Sequence, residues 1–315
     1  MACLTPEGSP VLNLPDVTLV VAETRCHELM RLTLTDAVLK IKFGGIVIHT
    51  DKPELIGIPA PATYIRVPDW PNKIEQGSFY YMEAGHAAQT SHVLLTEWDG
   101  GIRDVNSWTD EFLQYDYIGA PWVWAKGQRH TVGNGGFLLL SKRMIEHVYA
   151  NRASFKISTD VAYSQVNRIR LEKEIGAKWA PESLAIKFSY EHYYEAHRSM
   201  SAPSFGYHDI FNWPLALSRD EVIRRTRLVM QNRYIVTHTP KLKLLATWFP
   251  WVRDEIGHEE YDAAARHTFQ VPGGVRERPQ SRPHHAHPLQ VKARTQEQIR
   301  QAAKIAVLQR HGVKA

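Results

Sequence analysis

Residues 17–51 read VTLVVAETRCHELMRLTLTDAVLKIKFGGIVIHTD. VTLVVA, residues 17–22, is a short apolar run of the kind that forms a buried strand. From Arg25 to Lys40 the apolar residues Leu29, Leu32, Leu34, Ala37 and Val38 fall at helical spacing. GGIVIHTD then predicts a second strand, ending at Asp51. Strand, helix and strand in so short a span form a β-α-β unit, the opening of a parallel sheet of nucleotide-binding type. The first turn carries no GxGxxG, which disfavours a dinucleotide-binding fold.

Further along, VLLTEWD at residues 93–99 runs into Gly100 and Gly101. It predicts another buried strand, broken by glycines, with Asp99 at its carboxyl end. That edge of an open α/β sheet is where ligands bind. A carboxylate there that faces a phosphorylated ligand usually works through a divalent cation with a preference for oxygen ligands. Glu97 lies two residues earlier, and strand alternation would turn both acids to one face. An acid capping a turn reads the same way in isolation.

The rest of the chain continues the pattern. TYIRV (63–67) predicts a short strand, residues 75–88 a helix, and VGNGGFLLLSKRMIEHVYAN a glycine loop followed by strand and helix. A further helix is expected from Asp160 to Ile175, and a strand with flanking turns in KWAPESLAIKFSYE. SFGYHDIFNWP closes the core, and 219–233 and 241–267 read as helices.

Bulk composition excludes several classes. Of the 315 residues, 43% are hydrophobic and 23% charged, an ordinary globular balance. No apolar run is long enough for a membrane span. The opening MACLTPEGSPVLNLPD lacks the basic start and apolar core of a signal peptide. Two cysteines, Cys3 and Cys26, make no disulfide framework, so a cytoplasmic setting is expected. The net charge is +5, yet residues 1–275 hold 29 basic and 31 acidic side chains. The excess lies from Arg276 onward, so the body itself does not read as a nucleic-acid binder.

Four positions carry chemistry. Asp99 with Glu97 is the first. Gly133-Asn134-Gly135-Gly136-Phe137 is the second: its glycines allow close backbone approach to a substrate, or form a plain hairpin turn. Asp160, after Thr159, suits either a helix first turn or a general base that takes a proton from an acceptor hydroxyl. His208, in FGYHD, is either a metal-ligating imidazole or a surface residue among sixteen histidines. Trp108, Tyr115, Tyr117, Trp122 and Trp124 form an aromatic stretch, mostly core, that offers one or two rings to a sugar. The HHAH cluster at 284–287 falls in a linker rich in Pro and Arg and reads as a solvated segment.

WDGGIRDVNSWTDEFLQYDYIGAPW, VGNGGFLLLSKR, TD, FSYE and FGYH, in this order, resemble an uncharacterised, domain-of-unknown-function family of bacterial and fungal proteins. The match spans roughly residues 16–215. That family is glycosyltransferase-like, with a GT-A-type α/β fold: a central, mostly parallel, twisted sheet flanked by helices. Its usual strand end is Gln-x-Asp-Gly, its loop GNGGFSLRS and its acidic pair Glu-Asp. This chain has Glu97, Trp98, Leu138-Leu139-Leu140 and Thr159 at the departing positions, changes that bear on the donor sugar.

The resemblance implies a hexosyl- or pentosyltransferase using a nucleoside-diphosphate-sugar, with UDP-sugar as first expectation, and Mn²⁺ or Mg²⁺. By carry-over, Asp99 and His208 are the metal ligands and Asp160 the base of an inverting single displacement. Ala22, Glu23, Thr24, Asp51, Glu97, Trp98 and Gly100 would bind the donor. Trp122, Asn134, Gly135, Gly136 and Phe137 would line the sugar and acceptor pocket. The implied organisation is an extension (1–15), a catalytic domain (16–217), a helical segment (218–270) and a basic linker with a terminal helix (271–315). An acceptor saccharide, lipid-linked glycan, protein or modified DNA stays open, with the basic tail touching an anionic partner. Two alternatives remain: a transferase acting on a hydroxylated DNA base held by that tail, and a non-catalytic nucleotide-sugar-binding protein.

Overall fold

The described residues are 12–70, 72–122, 125, 130–191, 203–232 and 239–265 of a computed structural model. Along the chain they form β1 (Leu12–Ala22), α1 (His27–Lys40), β2 (Ile41–Thr50), β3 (Thr63–Arg66), α2 (Lys73–Met82), β4 (His92–Thr96), β5 (Gly101–Ile102), β6 (Tyr117–Gly119) and β7 (Phe137–Ser141). There follow α3 (Lys142–Ala150), α4 (Arg168–Ile175), α5 (Glu182–Phe188), β8 (Ser189–Tyr190), β9 (Gly206–Tyr207), α6 (Trp213–Ala216), α7 (Arg219–Gln231), α8 (Thr239–Trp248), α9 (Pro250–Ile256) and α10 (His258–Ala264).

The main sheet has the order β3-β2-β1-β4-β7-β6 among the described residues. The pairs β1–β2, β2–β3 and β1–β4 are parallel, and only β7 runs against its neighbours. The fold is therefore mixed α/β with a mostly parallel sheet. Both faces of the sheet are covered, which is why its strands read as unbroken apolar runs. Leu19, Val21, Ile48, Leu94 and Leu139 pack with α1, α5 and α7–α9. Val20, Val47, Val93, Leu95, Leu138 and Leu140 pack with α2–α4. Neighbouring residues of one strand thus feed two cores, as the two-residue period of a strand requires.

Beside it, β5 pairs antiparallel with β9, and β9 pairs parallel with β8. This small sheet carries the segment around His208 back to the end of β4. All described residues fall within one compact unit, Met1–Phe269. Among them no helix is long and apolar enough to cross a membrane, and Cys26 is a buried free thiol.

Several expectations are corrected. β1 begins at Leu12, before the expected Val17, because the ladder resumes beyond a break at Pro15, which has no N–H to offer. Gly44 accommodates the bulge: a Cβ there would lie 2.0 Å from the Pro15 carbonyl oxygen. KWAPESLAIKFSYE is a helix, α5, with only Ser189–Tyr190 as strand. Leu184, Ala185 and Phe188 are buried at i, i+1 and i+4, a helical stripe that the apolar content hides. The expected helix at 160–175 is split. A wide π turn spans Ala162–Val166, where the Asn167 amide donates to the Ala162 carbonyl at 2.7 Å before α4 begins. The expected helix at 75–88 is α2 followed by a 3₁₀ turn at Ala84–Ala87. The 241–267 helix is three, interrupted at Pro250 and at Gly257, whose φ is +106°. Residues 271–315, the HHAH cluster, Trp124 and residues 1–11 lie outside the described residues.

Candidate active site

At β1 the sheet reverses its order: β2 lies on one side and β4 on the other. Ligands bind outside the carboxyl ends of strands at such a switch point. A cavity of about 290 Å³ opens there, with Ala22 ending β1, Glu23 just after it, and Glu97, Trp98 and Asp99 following β4. Gln76, Tyr80 and Tyr81 of α2, Asp160, His208 and Lys241 complete much of its wall.

Glu97 and Asp99 converge for a reason other than strand alternation, because β4 ends at Thr96. The Glu97 N–H still donates to the Gly136 carbonyl at 2.9 Å, and the Gly100 N–H donates to the Glu97 carbonyl at 3.0 Å. That second bond closes a turn over residues 97–100. The Trp98 carbonyl is fixed by the Thr33 hydroxyl at 2.7 Å. The Glu97 side chain is 45% exposed to the cavity and that of Asp99 only 2%.

His208 meets these acids through the small sheet. The Asp209 N–H donates to the Asp99 carbonyl at 3.0 Å, which locks the two segments together. His208 Nε2 then lies 3.5 Å from Asp99 Oδ1 and 4.0 Å from Glu97 Oε2. One potential ligand atom from each of Glu97, Asp99 and His208 lies within 4.8 Å of the others. Bonds of about 2.1 Å to a common cation set ligand atoms about 3.0 Å apart when adjacent and at most about 4.2 Å when opposite, so these side chains would draw slightly closer around an ion. Two carboxylates and an imidazole suit Mn²⁺ as well as Mg²⁺, so the residues present fit a divalent ion. Asn134 Nδ2 and Glu191 Oε1 lie 3.2 and 3.3 Å from His208 Nδ1 and hold the ring from behind. Burial opposes a charged imidazole here, but Asp99 and Glu191 outweigh it and raise the His208 pKa well above its ordinary value.

The glycine loop is shaped by these neighbours. A Cβ on Gly135 would lie 2.3 Å from the Tyr81 hydroxyl and 2.8 Å from Asp160 Cβ, and one on Gly136 would strike the His208 ring. Asp160 accepts the Gly135 N–H at 3.2 Å and the Val161 N–H at 2.8 Å. The helix-start role belongs to its neighbour, since the Thr159 hydroxyl oxygen accepts the Ala162 N–H at 3.1 Å. Burial, with the charge of Glu191, pushes Asp160 up to about 6. A carboxylate on a cavity wall with that pKa is suited to taking a proton near neutral pH.

Lys241 of α8 closes the arrangement. Its Nζ lies 2.7 Å from Asp209 Oδ2 and 3.4 Å from Asp99 Oδ2. Asp209 sits at φ +86°, ψ +146°, a region that costs a non-glycine residue about 1–3 kcal/mol.

The other expected site residues are distributed more widely. Ala22 and Glu23 reach the cavity, but the Glu23 carboxylate is engaged by the Arg25 and Cys26 N–H groups at 2.6 and 2.9 Å. Thr24 donates to Asp69 at 3.0 Å and Asp51 pairs with His27 at 2.7 Å, both away from the cavity lining. Gly100 is packed beneath the turn, Trp122 lies on Gly133, and the Phe137 ring sits in the core against Phe188, Phe205 and Gly206. Lys241, Glu191, Tyr80 and Tyr81 escape sequence reasoning. Glu191 ends the FSYE motif, to which the sequence reading gave no site role; the tyrosines lie within the expected 75–88 helix, and no motif marks Lys241.

Residues 76–208 match a family described as "Protein of unknown function (DUF5672)". No curated protein matches the chain. Among solved structures, a crystal structure of a glycosyltransferase involved in the glycosylation of the major capsid of PBCV-1 aligns with 68% of this chain and 98% of its own. The identity is 12% and the TM-score 0.36, too loose a likeness to support fold or chemistry. Across the stretch that holds Glu97, Asp99, the glycine loop, Asp160 and His208, the chain is thus similar to a family whose function is itself unknown.

Proposed function

We propose that this chain is a metal-dependent glycosyltransferase of GT-A type that moves a sugar from a nucleoside-diphosphate-sugar to an acceptor hydroxyl with inversion. One observation carries this reading: Glu97, Asp99 and His208 converge in the same switch-point cavity as a separate carboxylate, Asp160, of raised pKa. Glu97, Asp99 and His208 would hold Mn²⁺ or Mg²⁺. When bound, the ion supplies positive charge to the leaving diphosphate.

The chain's own residues do the rest. Asp160 accepts the proton of the acceptor hydroxyl as that oxygen bonds to the anomeric carbon and the carbon–diphosphate bond breaks. The Gly135 N–H holds the carboxylate in place for this. Trp98 and the tyrosines of α2 wall the donor sugar, while Ala22 and the Glu23 turn shape the nucleotide end. UDP-sugars are the first donors to try. The acceptor is a saccharide, a lipid-linked glycan, a protein or modified DNA, and the basic tail would favour an anionic one.

The test is a panel of nucleotide-sugars with Mn²⁺, read as release of free nucleoside diphosphate. Release from one donor, abolished by EDTA, is expected. No release from any donor overturns the reading. A transfer product that keeps the donor's anomeric configuration overturns the single displacement.

A further inference from the structure

We infer that Lys241 is a donor-phosphate-binding residue, an ammonium held at the cavity by Asp209 and shared with Asp99 until a diphosphate enters. This rests on the proposed function and extends it beyond the residues matched by the family.

The geometry is asymmetric. The Asp99 and Asp209 side chains are 2% and 4% exposed, whereas that of Lys241 is 27% exposed and lines the cavity. The ammonium therefore caps two buried acids and keeps a face toward the space beside Glu97, Asp99 and His208. An ammonium carries three donors. Asp209 and Asp99 occupy two directions, and one remains for an anion on the cavity side.

Asp209 supports the same reading. Its strained backbone conformation is one that glycine adopts freely. The aspartate holds that position through its side chain, with Oδ1 accepting the Ile210 N–H at 2.8 Å and Oδ2 on Lys241. Strain of this kind collects where a side chain is needed for function. Here the side chain aims Lys241.

Charge then dictates the behaviour. A divalent ion on Asp99 and the Lys241 ammonium repel each other as like charges and compete for one carboxylate. A diphosphate that bridges them turns the repulsion into a shared grip. Lys241 should therefore weaken binding of the metal alone and strengthen binding of nucleoside diphosphate with metal. By linkage, each ligand improves the affinity of the other.

The test is calorimetric titration of the full chain with Mn²⁺ alone, and with UDP, GDP, ADP and dTDP in the presence of Mn²⁺. Lys241→Met should bind the preferred diphosphate about ten- to hundredfold more weakly, the range for losing a hydrogen bond to a charged group. It should bind Mn²⁺ alone more tightly. Lys241→Arg should recover most of the diphosphate affinity. If Lys241→Met unfolds, Lys241→Gln gives the same comparison, because it removes the charge while keeping a donor toward Asp209. Unchanged diphosphate affinity overturns the inference. Parallel loss of Mn²⁺ and diphosphate binding makes the residue structural and also overturns it. Both outcomes leave the glycosyltransferase reading intact. If the unaltered protein binds none of the four diphosphates, that reading fails and the inference fails with it.

Discussion

A Cβ on Gly136 would lie 2.0 Å from His208 Nε2, the imidazole atom that faces Asp99. The absent side chain of one residue is thus the space occupied by the other. GNGG looks like a hairpin turn in isolation, yet here its last glycine makes room for a candidate metal ligand.

Gly136→Ala should therefore displace the imidazole. The expected outcome is Mn²⁺ affinity lowered about 10–100-fold, the usual range when a ligand's support is disturbed. Overpacking should also cost about 1–3 kcal/mol of stability. Calorimetric titration and thermal melts check both. Unchanged Mn²⁺ binding would mean that His208 is not a ligand.

Asp99→Asn should abolish metal binding while leaving the fold intact. Lys241 keeps its 2.7 Å partner Asp209 and His208 its 3.3 Å partner Glu191, so no buried charge is stranded by the change. Mn²⁺ electron paramagnetic resonance reads the loss directly, and circular dichroism checks the fold. Full Mn²⁺ occupancy in the variant would contradict the assignment.

Asp160 sets a pH dependence. As a base it works deprotonated, so kcat/KM should rise with pH around a midpoint of about 6. Its folded-state pKa lies above its ordinary value of 3.8, so the folded protein holds this proton more tightly than the unfolded chain. The stability it contributes is full below about pH 4 and is lost as pH rises through about 6. Asp160→Asn should lower turnover about 10²–10⁴-fold and raise the Tm relative to the parent above pH 6 but not at pH 4. A flat Tm difference across that window would remove the raised pKa.

Asp116 provides a contrast outside the cavity. It is buried and accepts the Lys178 N–H at 2.8 Å together with the Ser141 hydroxyl and the Arg143 guanidinium. Asp116→Ala should destabilise the fold by about 1–3 kcal/mol, the cost of leaving the buried Ser141 hydroxyl without its acceptor, while the half-exposed Arg143 stays solvated. Chemical denaturation measures that cost, and diphosphate binding by the folded fraction should stay at the parent level.

Much of the scaffold was legible because the relevant signals are local. The apolar run at 17–22, the helical spacing at 25–40 and the glycines after 98 each constrain the backbone within a few residues. A parallel sheet buried on both faces leaves just such runs. Where local and tertiary forces diverge, the reading failed. α5 carries apolar residues that suit a strand or a helix, and only packing of Leu184, Ala185 and Phe188 against the sheet chooses. Asp160 and Thr159 could each begin a helix. The structure gives that task to Thr159 and turns Asp160 to the Gly135 N–H.

By itself, then, the chain's order of residues determined the alternating α/β architecture, the strand break at Gly100–Gly101 and the presence of Asp160 and His208, because these depend on spacing and residue type. Only the tertiary structure decided which acids face His208, that Glu23 is occupied by backbone N–H groups, and that Lys241 belongs to the site. Lys241 lies 142 positions from Asp99 in sequence and 3.4 Å from it in space. No period or motif encodes such a pair. It exists because β9 and α8 fold back over the end of β4, where burial makes opposite charges seek each other.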